Sequence, residues 1–296
     1  MKRNEFIKRS ALGLIGGLAA TRLSASDLSA SALINSTFQP EVDRVGFNHL
    51  PNKNPKIMDN MVLHRANTRG LANHGWLKSN HTFSFANYHN PERMHFGVLR
   101  VLNDDYVEPG MGFGTHPHNN MEIISIPLEG DLEHKDSMGN TSVIKQGDVQ
   151  VMSAGTGVQH SEYNKNRDKA VKFLQIWLFP REKNVKPRYD QMTFNVSDRK
   201  NKLQQVLSPN ADDEGVWIHQ DAWFHMGKFD QGFNTKYELK KKGNGVYAFI
   251  LDGEVSINGQ DLGKRDGLGV WNIDSLEIKA SSDAGILLME VPMQIG

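Results

Sequence analysis

Short apolar runs separated by turn residues, with no long amphipathic helical stretch to compete with them, narrow most strongly what this chain can fold into. The runs cover residues 96–102, 121–128, 149–152, 171–179, 247–251 and 286–291; they are rich in Val, Ile, Phe and Trp, and Gly, Asn and Asp punctuate them. Segments of this length and composition read as strands of a sandwich or barrel, so the fold class is all-β. The run from Val171 to Phe179 reads as apolar on both alternating faces after Lys172. A strand buried on both sides is expected where two sheets or two barrels pack together.

The pattern repeats. Leu128-Glu129-Gly130-Asp131-Leu132 is echoed by Leu251-Asp252-Gly253-Glu254-Val255, 123 positions further on. Each echo leads through a turn and another strand to a Gly/Asp corner, at Gly147-Asp148 and at Asp266-Gly267. Two similar units, each drawn like a jelly-roll half, are implied by the echo unless its five residues coincide by chance.

The histidines sort by copy. His116 and His118 stand two apart, and alternate residues of a strand point to one face, so both imidazoles can aim at one point inside a barrel. Pro117 between them cannot donate to a strand ladder, which suits an edge or rim position. His160 and Glu162 repeat the spacing, behind glycines at 155 and 157 that permit a tight turn. Three neutral imidazoles and one carboxylate make a site for divalent iron, manganese, nickel, copper or zinc with open coordination positions. Shifting by the repeat puts Leu239 and Lys241 at His116 and His118, and no histidine stands near Ala280, so the second copy lacks the ligands. His219 and His225 read as structural. His64, His74, His81, His89 and His95 read as core histidines that satisfy backbone groups. His134 reads as part of a polar turn and is assigned no chemistry.

These segments, with Ala72-Asn73-His74-Gly75-Trp76-Leu77, His81-Thr82-Phe83-Ser84-Phe85-Ala86-Asn87-Tyr88, Asp136-Ser137-Met138-Gly139-Asn140 and Ser153-Ala154-Gly155-Thr156-Gly157, resemble the pirin family. The resemblance runs from about Leu63 through Val291, to the short bacterial members described as quercetin 2,3-dioxygenases. It implies a double-stranded β-helix (jelly-roll) bicupin, two cupin barrels packed together, with a metal-binding cupin at 61–180 and a cupin without metal ligands at 181–296. It also implies one divalent metal, usually taken as Fe(2+), on His116, His118, His160 and Glu162, with Mn, Ni, Co, Cu or Zn as alternatives. In that pattern the carboxylate ligand comes from the second motif. Glu162 is therefore the expected ligand and catalytic base, and Glu122 a support behind the ligands or a surface strand residue. The implied substrate is a small phenolic such as a flavonol, cleaved with O2. Alternatives are a non-catalytic regulatory or protein-binding role, and a cupin oxygenase or isomerase of another substrate.

The N-terminus and composition bound the setting. Lys2, Arg3, Lys8 and Arg9 precede an apolar run at 11–20, and small residues come after it at 24–26, the layout of a cleavable export signal at 1–25. Arg3-Asn4-Glu5-Phe6-Ile7-Lys8 resembles a twin-arginine motif except at Asn4; a buried helix is the competing reading. The expected location is periplasmic, with no stable membrane span, since the apolar run is about half the length a span needs. Residues 26–60 read as a polar tether. There is no cysteine, which excludes thiolate metal sites and disulfides. Formal net charge is zero and no basic block lies outside the signal, against a nucleic-acid partner. A monomer is expected.

Overall fold

A computed structural model describes residues 60–296. The expected export signal and the tether through residue 59 lie outside the described residues. Strands dominate the fold. The first half holds, in chain order, β1 (Met61–His64), β2 (Gly70–Asn73), β3 (Leu77–His81), β4 (Leu99–Val107), β5 (Gly112–His118), β6 (Glu122–Glu129), β7 (Leu132–Asp136), β8 (Thr141–Ile144), β9 (Asp148–Ser153), β10 (Val158–Asn164) and β11 (Val171–Leu178). The second half continues with β12 (Arg188–Thr193), β13 (Leu203–Ser208), β14 (Val216–Trp217), β15 (Trp223–Phe229), β16 (Asn234–Glu238), β17 (Asn244–Asp252), β18 (Val255–Ile257), β19 (Gln260–Leu262), β20 (Gly267–Val270), β21 (Ser275–Ala280) and β22 (Ala284–Pro292).

The strands form two barrels of the same design, each a seven-stranded sheet and a four-stranded sheet. In the first the orders are β12-β9-β6-β11-β4-β3-β2 and β5-β10-β7-β8; in the second, β1-β20-β17-β22-β15-β13-β14 and β16-β21-β18-β19. This is the expected bicupin. The halves exchange edge strands: β1 joins the second barrel through β20, while β12 returns to the first through β9. The sequence echo is a shared turn. Gly130 and Gly253 take φ of 78° and 72° after β6 and β17, and a Cβ on either would meet a backbone oxygen within 3 Å. Only glycine is comfortable in both respects.

The two seven-stranded sheets share one core. Ile124, Ile126, Val151, Leu174, Ile176 and Leu178 of the first barrel pack with Phe224, Phe249, Leu287 and Met289 of the second. The double burial expected of 171–179 is present with one correction, because Gln175 interrupts its inward face.

Strand registry exposes what that interruption means. His81 lies opposite Asn103, Asn103 opposite Gln175, Gln175 opposite Ser125, and Ser125 opposite Gln150, a polar row across five strands. Apolar clusters lie on either side, one around Leu77, Val107 and Phe173, the other around Ile123, Met152 and Val158. The equivalent row of the second barrel runs Gln205, His225, Leu288, Ala248, Leu268. Its centre is aliphatic and belongs to that barrel's own core. A buried polar atom without a partner costs about 1–3 kcal/mol. The second barrel shows that the fold does not require polar residues at the centre of the row, where the first has Gln175, Ser125 and Gln150.

Candidate metal centre

Three imidazoles meet at one end of the first barrel. β5 is the edge strand of its sheet, which accommodates Pro117, and β10 pairs beside it with His160 opposite His116. The turn before β10 depends on Gly155, whose φ is 46° and whose missing Cβ leaves room for Val185 O. One nitrogen each from His116, His118 and His160 lie within 4.8 Å of one another. The ring centroids are 4.5 to 4.9 Å apart.

Donor chemistry fits a divalent transition metal. The Nε2 atoms of His118 and His160 are buried without hydrogen-bond partners. Burial, then the neighbouring His116, depresses His118 to about 3; burial, then His116 and His118, depresses His160 to about 2. Both rings are neutral at physiological pH with lone pairs to offer. His116 Nδ1 bonds the Gly114 carbonyl at 2.8 Å, which fixes a hydrogen there and leaves Nε2 as acceptor.

Glu162 stands apart from the trio. It is fully buried on the same strand, after a register shift between His160 and Glu162. Its carboxylate is not among the clustered ligand atoms. Ser125 Oγ donates to Oε1 at 3.2 Å and Gln175 Nε2 to Oε2 at 2.9 Å, so the centre of the polar row holds this carboxylate. Burial pushes the Glu162 carboxyl up, against the pull of His116 and His134. Asp105 lies nearby, buried beside Ser79, and burial pushes it up to about 7.

The Asp105 shift has a stability consequence. Between the unfolded value of 3.8 and the folded value near 7, the folded chain keeps a proton that the unfolded chain has lost. The carboxyl therefore costs more stability as pH rises through that window. Asp105→Asn is expected to gain on wild type by on the order of 1 kcal/mol per pH unit across it, and to level off above it. Urea midpoints on both sides of the window check this; a difference independent of pH would contradict it.

Several residues differ from their sequence reading: His74 and His89 are exposed, not core, and His64 bonds the Tyr247 hydroxyl at 2.9 Å in place of a backbone group. Glu122 is neither exposed nor behind the ligands: it is buried at the start of β6, accepting from Ser153 Oγ at 2.8 Å and the His219 amide at 3.3 Å, toward the second half of the chain. His134 is no turn residue. It is fully buried in β7, with Nδ1 3.5 Å from Nδ1 of His160 and its ring 4.6 Å from Tyr189. The inward alternation of Leu132, His134 and Asp136 was the available signal. His81 is also not satisfied as expected, since its Nδ1 has no partner.

An aromatic wall adjoins the centre. Trp177 stands edge-on to His118 at 4.9 Å and to Phe85 at 5.4 Å, and its indole N–H has no partner.

In the second barrel β21 pairs with β16 and β18 as β10 does with β5 and β7. Counting from Ala280 opposite Val255, Leu276 faces Tyr237 where His160 faces His116, and Ile278 replaces Glu162. All three are core residues.

Fold and site together define a bicupin which, among the described residues, has one histidine cluster, in its first barrel. Residues 63–178 match the pirin family and residues 205–291 the quercetinase C-terminal cupin domain. The quercetin 2,3-dioxygenase of Escherichia coli K12 is 44% identical over 232 residues, 78% of this chain and 99% of that protein. A pirin-like protein of Caulobacter vibrioides is 39% identical over 75% of this chain and 95% of its own length. The crystal structure of the E. coli pirin YhhW in complex with nickel(II) superposes with a TM-score of 0.75 at 43% identity, covering 79% of this chain and all of that one. The chain belongs to the pirin family.

Proposed function

We propose that this protein is a metal-dependent dioxygenase that opens a flavonol-type phenolic substrate with O2 at the His116, His118, His160 centre. The convergence of three imidazoles, two with buried and unpartnered Nε2 atoms, is the observation behind the reading. The quercetin 2,3-dioxygenase name of its E. coli relative and the nickel in the related pirin structure point the same way. Glu162 is proposed as the fourth ligand or as a base at that site. A bound divalent metal would supply Lewis acidity to a phenolate oxygen and a path for electrons between that phenolate and dioxygen.

The protein's own groups do the rest. His116, His118 and His160 would hold a divalent metal through one nitrogen each, and a metal with only these ligands could also take a substrate oxygen or O2. Glu162 has its proton affinity raised by burial, which suits it to take the hydroxyl proton of a flavonol, and Ser125 and Gln175 hold it while it does so. Trp177 and Phe85, packed edge to face, supply an apolar flank for an aromatic ring.

The test is loss of flavonol absorbance coupled to oxygen uptake by protein loaded in turn with iron, manganese, nickel, cobalt and copper. Turnover with at least one metal, abolished by Glu162→Gln, is expected. No turnover with any of them sinks the reading.

A further inference from the structure

β7 runs beside β10, with Asp136 opposite His160 and His134 opposite Glu162. Asp136 is pinned by its own turn: Oδ1 accepts from the Met138 and Asn140 amides at 2.9 and 3.0 Å, and Oδ2 from Asn140 Nδ2 at 2.8 Å. Oδ2 also faces His134 Nε2 at 3.1 Å, and neither side chain of this pair is exposed to solvent. An ionised carboxylate only accepts, so a His134 ring that carries a single hydrogen holds it on Nε2 and has its lone pair on Nδ1. That lone pair faces His160 Nδ1 at 3.5 Å. Two lone pairs would repel there, so His160 carries its hydrogen on Nδ1. Its Nε2, the buried atom without a partner, is left as a ligand.

We propose that His134 and Asp136 are positioning residues that fix the tautomer and ring angle of His160 for metal binding, an inference that rests on the metal-centre reading above. His116 reaches the same end through the Gly114 carbonyl. His160 lies deeper in the barrel and is served by a side-chain relay. Tyr189, tilted 33° to the His134 ring and itself bonded to Gln191 Oε1 at 2.8 Å, braces that relay on its far side. In the second barrel Ile257 lies opposite Ile278, as His134 lies opposite Glu162, and no ligand there needs orienting.

Separable effects are expected in metal-substituted protein. His134→Phe should weaken Ni(II) binding by about 10–100-fold, the usual cost of losing a group that orients a ligand. In Co(II)-loaded protein, whose ligand protons shift out of the crowded proton spectrum, the His160 Nδ1 proton is expected to exchange fast or vanish in this variant. The His116 Nδ1 proton serves as an internal control and stays unchanged. His134→Gln, whose amide oxygen can accept the same hydrogen, is expected to recover part of both. Unchanged nickel affinity with an unchanged His160 proton overturns the proposal. If His134→Phe fails to fold, Asp136→Asn decides by the same proton: faster exchange supports the relay, and wild-type exchange overturns it. Wild-type protein that binds neither nickel nor cobalt overturns the metal centre itself, and the relay with it.

Discussion

Phe224→Ala is expected to destabilise the protein by about 3–5 kcal/mol and to lower the melting of both barrels together. The side chain is fully buried on β15 in the core shared by the two seven-stranded sheets. Its removal deletes transfer free energy and leaves a cavity that neither rigid sheet can close. Because that core is built from both halves, and β1 and β12 each cross to the other barrel's sheet, the halves cannot unfold as independent domains. A single shifted transition in calorimetry supports this coupling. Two transitions, with only the second barrel's lowered, would show that the shared core is not cooperative.

The second large effect falls on the metal. His160→Ala is expected to weaken nickel binding by more than about 100-fold, beyond the 10–100-fold usual for losing a group that only orients a ligand. His118→Ala should behave alike, since both Nε2 atoms are buried without another partner and both rings are held neutral by burial. Neither change should cost the fold. The second barrel builds the same architecture with Leu276 facing Tyr237. Circular dichroism with a nickel titration separates the two effects. Retained nickel affinity in either variant would remove that residue from the site.

Much of this was legible in sequence because alternate residues of a strand share a face and the same spacing occurs twice, in His116-x-His118 and His160-x-Glu162. The i, i+2 spacing placed His116 with His118 on one face, and Pro117 marked the edge strand. The repeat alone left the second copy without histidine ligands, although its fixed shift put Leu239 at the place of His116 where strand pairing puts Tyr237. What was not legible required registry between distant strands. No local pattern says that Gln175, in a strand that is apolar from Phe173 onward but for this residue, lies between Asn103 and Ser125. Nor does one say that Ser125 and Gln175 take both oxygens of Glu162. His134 was missed for a related reason: next to Asp136-Ser137-Met138-Gly139-Asn140 it resembles a turn residue, while its pairing with β10 makes it a neighbour of a ligand.

X-ray absorption of nickel-loaded protein, with the stoichiometry measured by titration, tests the one-centre bicupin most directly. One nickel per chain is expected, in a nitrogen and oxygen environment with the multiple scattering of three imidazoles, reduced to two in His160→Ala. Two equivalent nickel sites per chain, or a spectrum with one imidazole or none, would contradict it.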